Sequence, residues 1–454
     1  MEHCQAVGAV SPRAFGGLSG ARATAIQFVW QRNISVLLAY AARVSSPESG
    51  RSVLASDRGA GPTGARQSTL RASNLSLVAR TVIASSTPLS RSGVAGRTSM
   101  TRSTASRLVD ELVAGGVLAE LEPPVVSGPG RPSIPLGPGG RLAALGLQVN
   151  TGYLAARVID LRGRVISEQM DVDDFMDSEP RETLQRLAGL GNAVLAGVPS
   201  SVRLVGAGLA LPGVVSVDSG RLLLAPNLGW SNIHPGPLLG EGALRGIAVR
   251  IGNEADLAAR TVAEVAPGRP AALSDFIYIS GESGIGGAAV VDGRVMTSRH
   301  GWAGEIGHVC VDPKGPRCRC GSTGCLETYA GRDAILADAG LPPGSSPSLL
   351  VDRARAGDER AEQAVVRAAT ALGVALASVV NVLDIPAIVL GGHLGVISEL
   401  LRPELERQLR ARVVSSRWVA PTIATAPADD APGATGAAML ELDTVLAAPA
   451  GWLS

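Results

Sequence analysis

Apolar positions recur at helical spacing from Asn74 onward, where Leu75, Leu77, Val78, Val82 and Ile83 predict one face of a helix. Ser90, after Pro88-Leu89, has the character of an N-cap and opens a short second helix. A third helix follows at once. Thr101 can cap it, Ala105, Leu108, Val109, Leu112 and Val113 share its apolar face, Ser103, Ser106, Arg107 and Asp110 share the other, and Gly115-Gly116 ends it. Val117 to Leu121 then reads as a strand, and Val125 to Arg131 as a basic turn before another extended piece. Three short helices with a tight second turn, then a strand and a basic hairpin, predict a winged helix-turn-helix over residues 67–140.

From Ala144 the period shortens. Strands are expected at Leu145 to Gln148, Tyr153 to Ile159 and Val165 onward, with a turn at Asp160-Leu161-Arg162-Gly163. A helix near Arg181 to Leu195 and a strand from Leu204 to Leu211 follow, and Phe276 to Ser280 with Gly286 to Val291 form a second hairpin. Periodicity by itself gives an α/β class for residues 141–454. Residues 1–66 are rich in Gly, Ser, Ala and Arg with little sustained period, which predicts disorder; the alternative is a natural start further downstream, near Val53.

Composition adds an asymmetry that the net charge of +1 conceals. Residues 1–69 carry seven Arg against three acidic residues and residues 70–141 eight against four, so the remainder is acidic. A basic front suggests nucleic-acid binding. Candidate DNA contacts are Arg102, Ser103, Thr104, Ser106 and Arg107 on the third helix and Arg131 at the wing tip, where a narrow minor groove attracts arginine. The single lysine, Lys314, against forty arginines is simply explained by a GC-rich coding bias. Nothing approaches the ~18 uninterrupted apolar residues of a membrane span; the best stretch, Ala23 to Ala42, is broken by Gln31, Arg32 and Asn33. The N-terminus has no basic region ahead of an apolar core, so no secretory signal is expected, and reduced cysteines fit a cytoplasmic protein.

The densest chemistry lies between Glu305 and Glu327. His308, Cys318, Cys320 and Cys325 offer one imidazole and three thiols, with Gly315, Gly321 and Gly324 letting the loop fold back on itself. That donor set suits a tetrahedral Zn2+ with no open position, hence a structural ion. Cys310 is left outside it as a buried small side chain.

Ala-Gly-Glu-Ile-Gly-His at 303–308, followed by Cys-x-Cys-Gly-x-x-Gly-Cys-Leu-Glu at 318–327, resembles the zinc signature of the ROK family of sugar-responsive repressors and sugar kinases. The winged-helix head is similar too, from Arg66 through Ser103 to Leu112 and on to Gly130-Arg131-Pro132, although Gly93 stands where a capping-box glutamate is expected and Ser99 where the turn glycine is usual. The resemblance, covering residues 66–449, implies a two-lobed actin-like or hexokinase-like (ribonuclease H-like) body. It also implies a sugar site made by Asn253, Glu254, Glu305, His308 and Glu327, with His308 ligating zinc through one nitrogen and touching sugar through the other. Trp230, in Pro226-Asn227-Leu228-Gly229-Trp230, is expected beside that site.

Phosphoryl transfer needs a glycine-rich turn and a carboxylate base. The family's kinase turn Asp-x-Gly-Gly-Thr reads Gln148-Val149-Asn150-Thr151-Gly152 here, the second glycine cluster carries Glu282, and the catalytic Asp position is Glu254. The resemblance therefore implies a regulator without kinase activity. Operator DNA and a small sugar or sugar-derivative effector would be its partners, in a homodimer or homotetramer. A sugar kinase and a zinc-stabilised scaffold without ligand remain the alternatives.

Overall fold

The structure is a computed structural model and describes residues 62–123, 133–240 and 242–453. The expectations for residues 1–61, for the wing tip including Arg131, and for the stretch Ala23 to Ala42 lie outside the described residues. Helix α1, Pro62–Ile83, begins inside the stretch expected to be irregular; Pro62 suits a first helical turn, where no N–H is needed. Its buried face is Leu75, Val78, Ala79, Val82 and Ile83, whereas Leu77 turns outward, because 77 falls one position off the 75-78-82 stripe.

β1 (Leu89–Ser90) leads into α2 (Arg91–Thr98), and the Ser90 hydroxyl accepts from Gly93 N. Gly93 supplies no side chain to complete a capping box, so only half of that motif forms. Ser99 closes α2 in the left-handed region at φ 56°, a conformation costing a non-glycine residue about 1 kcal/mol, which the surrounding core sustains. α3 spans Arg102–Ala114, capped by the Thr101 hydroxyl through Thr104 N, with Ala105, Leu108, Val109 and Leu112 buried as the pattern required. β2 (Leu118–Glu120) and β3 (Pro135–Pro138) pair antiparallel, and β1 adds to β3, giving the sheet order β1-β3-β2. Three helices are closed by this small sheet.

Two five-stranded sheets follow, and they repeat one topology. In the first lobe β4 (Leu142–Val149), β5 (Tyr153–Asp160), β6 (Val165–Val172), β7 (Arg203–Leu211) and β8 (Val249–Asn253) lie in the order β8-β7-β4-β5-β6, with α4 (Pro180–Ala196) crossing between β6 and β7. The first three strands are antiparallel and the last two join parallel to β4. α5 (Glu254–Ala263) leads from this lobe into the second. There β9 (Phe276–Gly281), β10 (Ile285–Val291) and the short strand Arg294–Val295 form the antiparallel part, and β11 (Ala387–Gly391) and β12 (Thr422–Thr425) add parallel.

α6, Glu359–Leu383, carries the second lobe's core with α7, Ser398–Arg412. Among the described residues α6 is the one helix long and apolar enough to cross a membrane; more than half of its most apolar window is buried in the lobe.

The last long helix, α8 (Pro432–Ala447), lies on the first lobe against β4, β7 and α5. Gly146 of β4 and Gly208 of β7 let it sit on the sheet, since a Cβ at either would strike the carbonyls of Ala434 and Ala437; Gly436 does the same against Leu257 of α5. Its C-terminal half leaves that lobe's core for another. Met439, Leu442, Val445 and Leu446 pack with Leu75, Val78, Val82 and Ile83 of α1, with Leu108 and Leu112 of α3, and with Leu142 and Ile159 of the first lobe. The Ser76 hydroxyl donates to Leu446 O at 2.7 Å, and Arg203 reaches Trp452 O at 2.7 Å beneath a cation–π contact. Head and body thus share one core across residue 140.

Leu442→Ala removes a fully buried side chain from that shared core and is expected to cost about 2–5 kcal/mol. Urea unfolding followed by tryptophan fluorescence and by circular dichroism should shift as one transition. A head that unfolds separately, leaving the body's midpoint unchanged, would contradict the shared core.

Candidate functional site

The cleft between the lobes is floored by the ends of β4, β8 and β9 and by the loop that carries the cysteines. Asn253, Glu254, Glu305, His308 and Glu327, separated by up to 74 positions in the chain, all line it. Asn253 does so as a helix cap: its Oδ1 accepts from Ala255 N (2.8 Å) and Asp256 N (3.1 Å) and its Nδ2 donates to Gly213 O (2.8 Å). Its side chain is consumed in starting α5, which places Glu254 at the cleft floor. Glu254 Oε1 accepts from Gln148 Nε2 and Asn150 Nδ2, both at 2.6 Å. Gln148 and Asn150 thus hold a buried carboxylate.

Glu327 Oε2 accepts from Ile285 N (3.1 Å) and Asn227 Nδ2 (3.3 Å), so the second glycine cluster and the 226–230 segment meet on it. Gly284 is required at that junction, because a Cβ would collide with both Glu327 and Asn227. Trp230 is not beside the site: it is buried in the first lobe's core, its Nε1 donating to Ser178 O (2.8 Å), because the larger apolar surface wins the interior position. Pro226 and Asn227 are the members of that segment that line the cleft.

The loop Glu305 to Glu327 brings His308, Cys318, Cys320 and Cys325 together, with one ligand atom from each within 4.8 Å of the others. Cys318 Sγ stands 3.8 Å from His308 Nδ1, and Cys320 Sγ 3.8 Å from Cys325 Sγ. Thiolates about 2.3 Å from a tetrahedral ion stand about 3.8 Å apart, so the cluster fits a metal of that geometry. His308 Nε2 faces the other way, 3.8 Å from Glu305 Oε2 at the cleft. Cys310 is outside the cluster as expected, but it is exposed rather than buried, because it sits at the loop's outer edge opposite Cys325.

The cavity's chemistry is one-sided. Among the described residues, six carboxylates, Glu254, Glu282, Glu305, Glu327, Asp429 and Asp430, line it with one imidazole and no lysine or arginine. Burial raises Glu254 and Glu305 above the usual carboxylate range. Burial pushes Asp256, just behind the wall, up to about 7 with help from the Glu305 charge, and Glu282 up to about 7 with help from Glu254. Sequence reading missed Asp429 and Asp430 as lining residues. Asp429 is held by Arg157 (2.6 Å) and Thr435 (2.7 Å), and its only signal was an acidic pair just ahead of a proline that starts a helix. At the far end, Thr151 Oγ1 donates to Ser283 Oγ (2.9 Å) and Arg332 Nη2 reaches the same oxygen (3.2 Å). The two turns that a kinase would open around phosphate are hydrogen-bonded to each other.

On the head, Arg102, Ser103 and Arg107 are exposed and Thr104 and Ser106 half-exposed along α3. Thr104 also shares the Thr101 cap. Acidic residues nearby are neutralised: Arg91 binds Asp110 and Glu120 at 2.6 Å each, and Arg71 binds Glu111 at 2.7 Å.

A repeated ribonuclease H-like lobe pair, a cleft lined by carboxylates and a Cys3His loop define a protein of the sugar-kinase-like fold. The chain belongs to the ROK family, which residues 145–444 match. It is 26% identical over 360 residues to a xylose repressor from Caldicellulosiruptor bescii, covering 76% of this chain and 88% of that one. It is 31% identical over 225 residues to a glucokinase from Halalkalibacterium halodurans, covering 46% of this chain and 67% of that one. Among solved structures, a ROK family transcriptional regulator described as a homologue of the Escherichia coli MLC protein superposes with a TM-score of 0.68 at 22% identity, covering 85% of this chain and 99% of that one. A ROK family glucokinase from Streptomyces griseus, solved with glucose and AMPPNP, gives 0.55 at 26% identity and covers 66% of this chain and 98% of that one.

Asp256→Asn tests the electrostatics of the cleft wall. A carboxyl whose folded pKa is raised stabilises fully below its unfolded pKa and loses that contribution as pH rises through the folded value. The variant should therefore match the parent near pH 4 and gain on it up to pH 8, by about 2–4 kcal/mol. Thermal midpoints across that range check it; a constant offset would mean Asp256 is not held protonated.

Proposed function

We propose that the chain is a sugar-responsive transcriptional repressor, acting on operator DNA in the cytoplasm as a homodimer or homotetramer. The observation that carries this reading is the head itself. The regulator structure covers 85% of the chain where the glucokinase structure covers 66%, a difference large enough to take in the head, which packs into one core with the body. The xylose repressors likewise align over about three quarters of the chain.

Sugar hydroxyls would be read by Glu254, Glu305, Glu327 and the Nε2 of His308, with Asn253 setting the position of Glu254. Such groups accept and donate to a neutral polyol, and the absence of lysine and arginine from the cavity lining disfavours a phosphorylated one. His308 Nδ1, Cys318, Cys320 and Cys325 would hold a structural Zn2+, which supplies no chemistry beyond fixing the loop. That fixation orients His308 so that its second nitrogen meets the sugar. On DNA, Arg102, Ser103, Thr104, Ser106 and Arg107 would face the major groove, with Arg131 in the minor groove.

The kinase reading is favoured by the glucokinase relative. Against it stand the closed Thr151–Ser283 contact, Glu282 in the second glycine cluster, and Glu254, which is already engaged by two amides. A positioned, free carboxylate base and room for phosphate are what phosphoryl transfer requires.

Cys320→Ser is expected to lower the zinc content from one ion per chain and weaken sugar binding, as read by metal analysis and calorimetry. Parent protein purified without chelators and free of zinc would remove the metal assignment. Arg107→Ala should weaken operator binding with the sugar affinity intact, whereas Glu305→Gln should bind operator normally and no longer respond to sugar, both measured by fluorescence anisotropy at fixed salt. A Glu305→Gln protein that responds like the parent, or parent turnover of a sugar with ATP at ~1–100 s⁻¹, would overturn the reading.

A further inference from the structure

Gln148 has its whole side-chain amide engaged, with partners that include the first turns of two different helices. Its Nε2 donates to Glu254 Oε1 at 2.6 Å and to Tyr153 Oη at 2.8 Å, and its Oε1 accepts from Ala434 N at 2.9 Å. Glu254 is the first residue of α5, and Ala434 is the third residue of α8. The N-terminal N–H groups of a helix have no partner within it, and α8 receives no side-chain cap from its own N-cap residue, Ala431. Gln148, on a strand nearly three hundred positions earlier, provides that bond instead. Gly433 is the neighbour that makes room for it, since a Cβ there would lie 2.7 Å from the Gln148 amide carbon.

α8 then runs 16 residues, about 24 Å, from the cleft to the head. Its far end is committed to α1 and α3 through Leu442, Val445, Leu446 and the Ser76 hydrogen bond. Its flanks rest on Gly146, Gly208 and Leu257, backbone against backbone, so a change at its first turn is carried along a stiff body and not absorbed by side chains.

We infer that Gln148 is the positioning residue that couples the sugar site to the DNA-binding head, by holding Glu254 and the N-terminus of α8 with the two ends of one planar amide. This rests on the cleft being the sugar sensor. A sugar hydroxyl donating to Glu254 draws on the carboxylate whose Oε1 Gln148 and Asn150 both hold, and turning that carboxylate toward the sugar breaks the Gln148 bond. The amide is rigid, so when its Nε2 leaves Glu254 its Oε1 leaves Ala434 N, and the first turn of α8 loses its cap. The sugar-free cleft therefore fixes α8 and the head in one position, and the liganded cleft releases them. A ligand can shift an equilibrium only through such a difference between states.

The test uses the full-length parent and Gln148→Met, which keeps the side chain's length and removes its hydrogen bonds. D-xylose, D-glucose and N-acetyl-D-mannosamine are titrated by calorimetry, and operator affinity is measured by anisotropy with and without the sugar that binds, using a duplex recovered by the parent from a random library. The parent's operator affinity should change by a factor within the usual ~5–150, and that of Gln148→Met by less than ~2-fold at saturating sugar. A merely structural role would lower the variant's operator affinity equally with and without sugar, leaving the ratio at the parent's value; that result overturns the inference. Hydrogen exchange in the parent gives an independent reading if the variant does not fold. Sugar should speed exchange in the peptide containing Ala434 and in residues 75–83 of the head, and unchanged exchange in both overturns the inference. A parent that binds none of the three sugars overturns the sensor reading and this inference with it, whereas a sugar-responsive parent with an equally responsive Gln148→Met overturns only the latter.

Discussion

Helix α8 is placed under two constraints at once. Its first turn is fixed by strand β4 at the cleft, and its last turns are part of the hydrophobic core of the head. Burying Met439, Leu442, Val445 and Leu446 against α1 and α3 removes enough apolar surface, at about 25 cal/mol per Å2, that the head cannot lift away without exposing the core of the chain's other end. Everything else about the molecule's organisation follows from that. The glycines at 146, 208 and 436 exist to let the helix lie against backbone, and the two lobes meet where α5 and α8 run side by side.

The cleft departs from what phosphoryl transfer requires. Glu254 sits at the start of α5, where a base would act, but two amides hold it; the turns that would part around phosphate are joined by Thr151 and Ser283. The result is a carboxylate-lined cavity without a lysine or arginine in its wall among the described residues. The Cys3His cluster borders it through His308, whose two ring nitrogens face in opposite directions, one to the thiols and one to Glu305.

Much of this was legible in the chain. The apolar stripes on α1 and α3, the caps at Ser90 and Thr101, and the hairpins of both lobes could be read because period and cap chemistry are local. The His-Cys cluster and the two carboxylates beside it were legible because their donors fall within 23 positions. Gln148 was legible only as a loss, a polar residue where a kinase carries aspartate, since its partners Glu254 and Ala434 lie 106 and 286 positions away. The sharing of a core between residues 75–118 and 438–446 left no sequence signal either, as an almost uniformly apolar helix such as α8 does not say what it is buried against. Trp230 misled for a related reason: its segment reaches the cleft, but through Pro226 and Asn227.

Thermodynamic reciprocity gives the most direct measurement. If sugar weakens operator binding by some factor, operator must weaken sugar binding by the same factor. Calorimetric titration of the responsive sugar into the free protein and into the protein saturated with operator duplex should give dissociation constants that differ by the factor seen in the DNA-binding assay. Equal sugar affinities in the two forms, with sugar and DNA both bound, would contradict the account that one body senses the sugar and moves the head.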